Sequence, residues 1–260
     1  MPLVRSDTPT TRRRILISGE PNTYKTTSLL TFPRPLVYLA YPGEKGHAVI
    51  PGGAPDIFKY TWQVDDPTKP ESPYQVLADV RKVTTEALCG AHGKEITFAG
   101  DGLHKLHAYM LNAVTEGAYF KGDEFEPRLY GRATEMFLSY LALVAHSTVP
   151  VAVFTVWSGQ EPDRPKKPGE RTGDIPTHIY PELPGKLAKR IIGEFEIVVG
   201  SVLRSPKPGA PLAGQWQLRP DGDIRGVGVK IAPDIAKTLP LACAADYRVL
   251  DNLLTGGGTA

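Results

Sequence analysis

Residues 19 to 26 have the types and spacing of a loop that binds phosphate groups. In the pattern G-x-x-x-x-G-K-[ST], backbone N–H groups and a helix N-terminus surround the phosphates, the lysine supplies positive charge and the hydroxyl ligates magnesium. Gly19, Lys25 and Thr26 match the pattern in register, and Lys25 would act catalytically by neutralising charge. The predicted nucleotide-binding residues are Gly19, Glu20, Pro21, Asn22, Thr23, Tyr24, Lys25, Thr26 and Thr27.

Tyr24 departs from this pattern, because it occupies the position of the second glycine. A side chain there costs on the order of 1 kcal/mol if the backbone φ is positive. If the torsions are helical instead, the ring can point outward and stack on a base or on a partner. The alternative interpretation of the whole segment is an ordinary strand-to-helix turn with an exposed lysine.

Two carboxylates come directly after apolar runs. Asp101 ends one run, in the position from which a carboxylate holds the shell of Mg²⁺, usually through water. Glu44 follows another run and is predicted to orient or deprotonate an attacking water, with Glu20 as the alternative. Thr26 and Asp101 are therefore the predicted metal residues and Glu44 is a predicted catalytic residue. A solvated turn would explain either carboxylate without such a role.

The fourth apolar run also ends in polar residues. Thr155, Ser158 and Gln160 lie where a side chain could sense the γ-phosphate of a triphosphate, and we predict Gln160 as the catalytic residue among them. His104 and His107 are three residues apart. Without a cysteine or a second paired carboxylate nearby, we expect them to pack or face solvent rather than bind metal.

The order of the apolar runs predicts an α/β fold with a mainly parallel sheet between layers of helices. Near-continuous apolar strands that alternate with helical patterns are typical of sheets covered on both faces. Short turns between the later strands indicate antiparallel pairing there. The predicted strands are 15–17, 36–40, 95–99, 149–157, 195–203, 215–219 and 227–231, and the predicted helices are 25–30, 74–90, 103–115, 130–146 and 185–192.

The composition limits the classes of protein to which the chain can belong. Its 260 residues, 41% hydrophobic and 22% charged, suffice for one sizeable domain. A formal charge of +2 means that any nucleic-acid binding must be local. Two distant cysteines argue against a disulfide framework or a structural zinc site. Without a long apolar run, the chain is expected to be soluble and cytoplasmic, with no membrane partner.

In this order the motifs resemble those of RecA-like P-loop ATPases, and more closely those of phage-encoded ATP-binding proteins that include single-strand-annealing recombinases. The resembling stretches are 15–35, 35–46, 95–106, 149–160 and, more weakly, 183–199. The resemblance implies a RecA-like P-loop NTPase fold with ATP and Mg²⁺ as cofactors. It also implies that Glu44 is the catalytic glutamate and that Asp101 is the carboxylate of the metal shell.

The resemblance further implies a nucleic-acid partner and an assembly. A loop at 158–180 would bind single-stranded DNA, and Thr155 or Gln160 would couple this loop to the nucleotide. The loop mixes acidic residues with basic ones, so a solvated loop is an equal alternative. The basic residues of the loop are Arg164, Lys166, Lys167 and Arg171. In a homo-oligomer, a basic residue acting across the subunit interface could be Arg219, Arg225 or Lys230.

These expectations describe an Mg-ATP-dependent ATPase that acts on single-stranded DNA in phage-type recombination or replication, in the host cytoplasm if the chain is phage-encoded. Two other functions stay open: a nucleotide-binding structural or assembly protein with a degraded loop, and a motor of the DNA-packaging type. The predicted organisation is a basic N-terminal segment at 1–14, a RecA-like ATPase domain at 15–235 and a C-terminal tail at 236–260.

Overall fold

A β-sheet runs through the part of the chain that the computed structural model describes, residues 12–62, 71–89, 96–162, 177–184, 186–204, 211–219, 228–229 and 233–256. Its strands are β1 (Arg13–Gly19), β2 (Leu36–Ala40), β3 (Ile57–Thr61), β4 (Thr97–Asp101), β5 (Val151–Pro162), β6 (Thr177–Pro181), β7 (Ile197–Arg204), β8 (Ala213–Gln217), β9 (Gly228–Val229) and β10 (Ala242–Ala244).

The spatial order of the strands is β10-β8-β7-β1-β5-β4-β2-β3, with β6 beside β5 and β9 beside β7. The pairings among β1, β2, β3, β4, β5 and β7 are parallel, whereas β6, β8, β9 and β10 pair antiparallel. The predicted α/β class, with a mainly parallel sheet and antiparallel C-terminal strands, is therefore confirmed. Because β5 lies between β1 and β4, the carboxyl ends of these three strands meet at one edge of the sheet.

Helices cover both faces of this sheet. Successive side chains of a strand point to opposite faces, so Leu16 joins one core while its neighbours Ile15 and Ile17 join the other. The first core packs against α2, α3, α5 and α6, and the second against the residues after α1 and against α8. The helices are α1 (Lys25–Ser28), α2 (Glu71–Cys89), α3 (Leu103–Val114), α4 (Ala118–Lys121), α5 (Arg128–Ala145), α6 (Lys186–Ile191), α7 (Pro233–Thr238) and α8 (Tyr247–Leu254), with 3-10 helices at Leu29–Thr31, Gly46–Val49 and Ile192–Glu194.

A hairpin corrects the prediction of an unbroken loop at 158–180. Strand β5 continues to Pro162, and β6 returns antiparallel to it with Gln160 opposite Ile179. Backbone hydrogen bonds hold such a ladder, so its polar, proline-containing sequence carries little of the apolar pattern by which strands are recognised. Residues 163–176, which join the two strands, lie outside the described ranges.

The predicted tail at 236–260 contains elements of the folded core. Strand β10 pairs with β8 in the sheet. At the start of α8, the Tyr247 N–H donates to Thr31 Oγ1 at 2.8 Å, and the ring of Tyr247 lies 4.6 Å from that of Phe32. The domain bounds stay a prediction, but these contacts attach the C-terminal elements to the segment that follows the phosphate loop.

Within the described ranges, no helix combines the length and the apolar character needed to cross a membrane. Cys89 is exposed and Cys243 is half-buried, and both are free thiols.

Candidate nucleotide-binding site

The loop between β1 and α1 folds around the amine of Lys25. This lysine is the first residue of α1, and its side chain is only 7% exposed. Its Nζ donates to the carbonyl oxygens of Gly19 at 2.8 Å and Glu20 at 2.5 Å. These two bonds hold the amine beneath the loop, close to the place where the pattern predicts phosphate groups.

Burial gives this lysine an unusual electrostatic state. Loss of solvent lowers the pKa of Lys25 to about 8, although the nearby carboxylates of Asp101, Glu44 and Glu20 act in the opposite direction. The amine is still mostly charged at pH 7, because its pKa lies above that value. A buried cation is stabilised by an anion that replaces its lost hydration, so the arrangement favours a phosphate ligand.

Tyr24 adopts the backbone conformation that the pattern normally assigns to glycine. Its φ of 64° and ψ of 13° are left-handed, which rules out the helical torsions considered from the sequence. The conformation costs an L-residue on the order of 1 kcal/mol. The carbonyl of Tyr24 nevertheless accepts the first helical hydrogen bond of α1, from the Ser28 N–H at 2.9 Å. The loop therefore keeps its shape without the second glycine.

Gly19 is required by the close approach of β7. A Cβ at this position would lie 2.5 Å from the carbonyl oxygen of Ser201. The Ser201 hydroxyl donates to the Thr23 carbonyl, and the Thr23 hydroxyl donates to the Glu20 carbonyl at 2.7 Å. Strand β7 thus supports the loop from below, at a point where any side chain on residue 19 would push them apart.

Asp101 is held by hydroxyl groups from three other elements. It ends β4 with 1% of its surface exposed. Its Oδ2 accepts from Thr26 Oγ1 at 2.8 Å and from the Tyr38 hydroxyl at 2.7 Å, and its Oδ1 accepts from Thr155. The Thr155 oxygen in turn accepts the Gly102 N–H at 2.9 Å. Thr155 therefore positions Asp101. Thr155 also lines the cavity over the loop, and its predicted role beside the γ-phosphate stays a prediction.

Glu44 is fixed by the turn that follows β2. Its Oε1 accepts backbone N–H groups from Lys45 at 3.0 Å and Gly46 at 2.9 Å. Its Oε2 faces the end of β4, since a Cβ on Gly102 would lie 2.7 Å from this atom. The structure therefore brings Glu44 next to Asp101, as expected for two residues at the carboxyl ends of neighbouring parallel strands.

The donor set at this edge fits a magnesium ion. The Thr26 hydroxyl donates a hydrogen bond to Asp101, so the lone pairs of the threonine oxygen can bind a cation. Burial and the charge of Glu44 raise the pKa of Asp101, so a bound divalent cation would favour its ionised form. Within the described ranges, no group of three His, Cys, Asp or Glu residues could hold a metal. Such a sparse set suits Mg²⁺, which keeps waters and shares phosphate oxygens.

A cavity of about 330 Å³ opens over the loop and these carboxylates. Its walls contain most of the predicted residues: Pro21, Asn22, Thr23, Tyr24, Lys25, Thr26, Thr27, Glu44 and Asp101. Gln160 lies three residues beyond Trp157 on β5, but its side chain is outside the described part of the structure, so its catalytic role stays a prediction. The volume is at the lower end of the range for ligand pockets.

Trp157 is a cavity residue that sequence reasoning missed. Its ring stacks on His104 with centroids 4.4 Å apart, and Lys105 Nζ lies 4.7 Å from its centroid. The backbone N–H of Trp157 donates to His104 Nδ1 at 3.4 Å. The sequence did indicate this position, because Trp157 ends the predicted strand 149–157 beside the predicted γ-phosphate sensors Thr155 and Gln160. Tyr38 was missed because a tyrosine inside an apolar strand looks like a core residue.

The sequence matches no family model and no curated protein. Among solved structures, the chain is similar to the flagellar accessory protein FlaH from Methanocaldococcus jannaschii, with 12% identity and a TM-score of 0.36 over 79% of this chain and 78% of FlaH. It is also similar to the assembled ATPase EscN from the enteropathogenic E. coli type III secretion system, with 11% identity and a TM-score of 0.40. That match covers 73% of this chain and 43% of EscN. Neither likeness is close enough to indicate what this chain binds or does.

Most basic residues predicted to contact DNA or a second subunit lie outside the described ranges. Those outside are Arg164, Lys166, Lys167, Arg171, Arg225 and Lys230. Arg219 is exposed just after β8, and its carbonyl accepts the side-chain amide of Gln217 at 3.0 Å. Its predicted role across an interface stays a prediction.

Replacing His107 with glutamine is expected to reduce the loss of stability in acid. The His107 ring is 2% exposed and lies edge-on to Phe137, and burial lowers its pKa to about 4. Unfolded histidine has a pKa of about 6.5, so the unfolded chain binds a proton that the folded chain does not. This contribution to stability is complete above pH 6.5 and falls by about 1.4 kcal/mol per unit as the pH drops towards 4.

Urea unfolding at several pH values between 7.5 and 4.5 measures this slope. The slope of the His107→Gln variant should be smaller than that of the wild type by about 1.4 kcal/mol per pH unit. His146→Gln, at an exposed position, serves as the matched control and should keep the wild-type slope. Parallel curves for His107→Gln and wild type would contradict the expectation.

Proposed function

We propose that this protein is an Mg-ATP-dependent ATPase of the RecA-like P-loop type that acts on single-stranded DNA in phage-type recombination or replication. One observation carries the ATPase proposal. Lys25, Thr26, Glu44 and Asp101 come from three separate strand ends and line one cavity. A loop that binds phosphate needs only the first two, whereas hydrolysis needs the two carboxylates as well.

The chain's own residues divide the work of hydrolysis. Loop N–H groups and Lys25 bind the β- and γ-phosphates and stabilise the charge that develops on them. Mg²⁺, with Thr26 and Asp101 as its protein partners, would neutralise phosphate charge when bound. Glu44 orients a water and accepts its proton as the water oxygen bonds to the γ-phosphorus. The bond to the bridging oxygen breaks, and ADP and phosphate leave.

Strand β5 supports the proposed coupling to nucleic acid. It carries Thr155 and Trp157 beside the cavity and continues to Pro162, after which comes segment 163–176 with its four Lys and Arg and three Asp and Glu residues. Lysine and arginine side chains bind the phosphates of a single strand in a manner that weakens steeply with salt. A conformational change caused by nucleotide binding or hydrolysis could therefore pass along β5 to the segment that would contact DNA.

Single-stranded DNA is expected to stimulate ATP turnover several-fold at low salt. The stimulation should fall as salt rises from about 50 to 200 mM, because counterion release drives phosphate contacts. Phosphate release measured with no DNA, single-stranded DNA and duplex DNA tests this. Stimulation by duplex alone would replace this proposal with a packaging-type motor. ATP binding without turnover under any condition would favour the nucleotide-binding assembly protein.

A homo-oligomer is part of the same proposal. In RecA-like ATPases a basic residue commonly acts across the subunit interface, and Arg219, Arg225 and Lys230 are this chain's predicted candidates. Sedimentation with and without Mg-ATP would measure assembly. A monomer under both conditions would remove this part of the proposal and leave the nucleotide site as described.

A further inference from the structure

The ring of Tyr24 occupies a part of the cavity wall where the phosphate-loop pattern has no side chain. Its side chain is 48% exposed, although the neighbouring Lys25 is almost completely buried. Within the described ranges, no hydrogen bond or ring contact holds the tyrosine hydroxyl or ring. Tyr24 therefore offers a half-exposed aromatic side chain beside the cavity that Lys25 and Thr26 also line.

Gly214 on β8 makes room for this ring. A Cβ at residue 214 would lie 2.9 Å from Tyr24 Cβ, which is closer than real Cβ atoms approach, and 3.1 Å from Tyr24 Cγ. The Cβ and Cγ atoms of Tyr24 thus pack against the backbone of the antiparallel strand β8. Two unusual features lie in contact here: a tyrosine with a left-handed backbone and a glycine inside a strand.

We propose that Tyr24 is the surface on which the base of the bound nucleotide stacks, an inference that rests on the proposed binding of a nucleoside triphosphate. The triphosphate lies along the loop N–H groups and the amine of Lys25, so the sugar and base extend towards the cavity mouth. A cavity of about 330 Å³ is small for a whole nucleotide, and an open aromatic surface at its rim would complete the site.

Stacking of this kind selects nucleosides over inorganic phosphates without selecting one base. Every nucleobase has a flat π-face, and aromatic side chains stack on all of them. Tyr24 should therefore strengthen the binding of ATP, and of other nucleoside triphosphates, relative to inorganic tripolyphosphate, which carries the same phosphate chain and no base.

Calorimetry with Mg-ATP and with Mg-tripolyphosphate separates the ring from the loop. Tyr24→Asn removes the aromatic surface while keeping a residue that tolerates the left-handed conformation. We expect it to weaken ATP binding about 10-fold and to leave tripolyphosphate binding within about 2-fold of wild type. Tyr24→Phe keeps the ring and should bind both ligands like the wild type.

A second variant tests the same surface from its other side. Gly214→Ala introduces a Cβ that meets Tyr24 Cβ and Cγ, so the backbone of β8 or of the loop must shift. ATP affinity should fall by a larger factor than tripolyphosphate affinity, because only ATP loses contact with the ring. Circular dichroism and urea unfolding would show that β8 is still formed in this variant.

The outcomes distinguish this inference from the proposed function. If the wild type binds neither ATP nor tripolyphosphate, the nucleotide proposal fails, and the inference about Tyr24 fails with it. If the wild type binds both and Tyr24→Asn weakens them equally, Tyr24 acts through the shape of the loop and the inference is wrong. It is also wrong if Tyr24→Asn changes only subunit assembly, because the ring would then contact a second copy of the chain.

Discussion

Replacing Lys25 with alanine is expected to weaken Mg-ATP binding by at least about 100-fold, because charge-assisted bonds to phosphate are among the strongest polar contacts. The Lys25 amine is buried beneath the loop and is bonded to the carbonyls of Gly19 and Glu20. Its removal takes away the positive charge and its hydrogen bonds to both carbonyls, although the Glu20 carbonyl still accepts from the Thr23 hydroxyl. Lys45, which also lines the cavity, is exposed and lacks these bonds to the loop carbonyls.

Calorimetry with Mg-ATP measures this effect, and urea unfolding must accompany it to show that the loop variant is folded. Lys121→Ala is the matched control, because Lys121 is an exposed lysine at the end of α4. The control should bind ATP like the wild type. Equal affinity for Lys25→Ala and wild type would show that the triphosphate does not bind in this loop.

Replacing Glu44 with glutamine is expected to lower ATP turnover by about 100- to 1,000-fold while ATP affinity changes by less than about 3-fold. General base catalysis commonly contributes factors of this size. Glutamine keeps an oxygen that can accept the N–H groups of Lys45 and Gly46, so the side chain should stay in place. Only the charge and the ability to take a proton from water are lost.

Steady-state and binding measurements on the same preparation separate these effects. The expected pattern is a lower kcat with an unchanged Kd, which identifies an interaction that matters in the transition state. Glu86→Gln, at an exposed position on α2, is the control and should hydrolyse ATP at the wild-type rate. A Glu44→Gln variant with wild-type kcat would show that another group activates the water.

Parts of the fold were predictable because their sequences carry a strong local pattern. The apolar, β-branched run of β2 predicts a strand at 36–40, and the structure has the same bounds. Helix α5 follows from a continuous apolar stripe and shifts by only a few residues. In contrast, β3 was not predicted, although its residues are of strand-forming types. It is a short edge strand in which Ile57 is buried while Phe58 and Tyr60 are exposed.

The candidate site divides in the same manner. Glu44 and Asp101 could be placed from sequence because residues after apolar strands of a parallel sheet meet at one edge. Tyr38 could not, since its contact with Asp101 depends on which strands are neighbours. Trp157 was missed although it ends the predicted strand 149–157. Thr155 was placed at the edge correctly, but its hydrogen bonds to Asp101 and Gly102 could not be predicted from the sequence.

The sequence by itself determined where the loop between β1 and α1 lies, because its lysine and hydroxyl fall within eight consecutive residues that follow an apolar run. Its binding of phosphate stays a prediction. The tertiary structure alone decided the environment of that loop. Asp101 bonds to Tyr38 and Thr26, which are 63 and 75 residues away in the chain. The side chain of Tyr24 likewise packs against Gly214 of β8. Contacts over such separations follow from strand order and burial, which no local pattern contains.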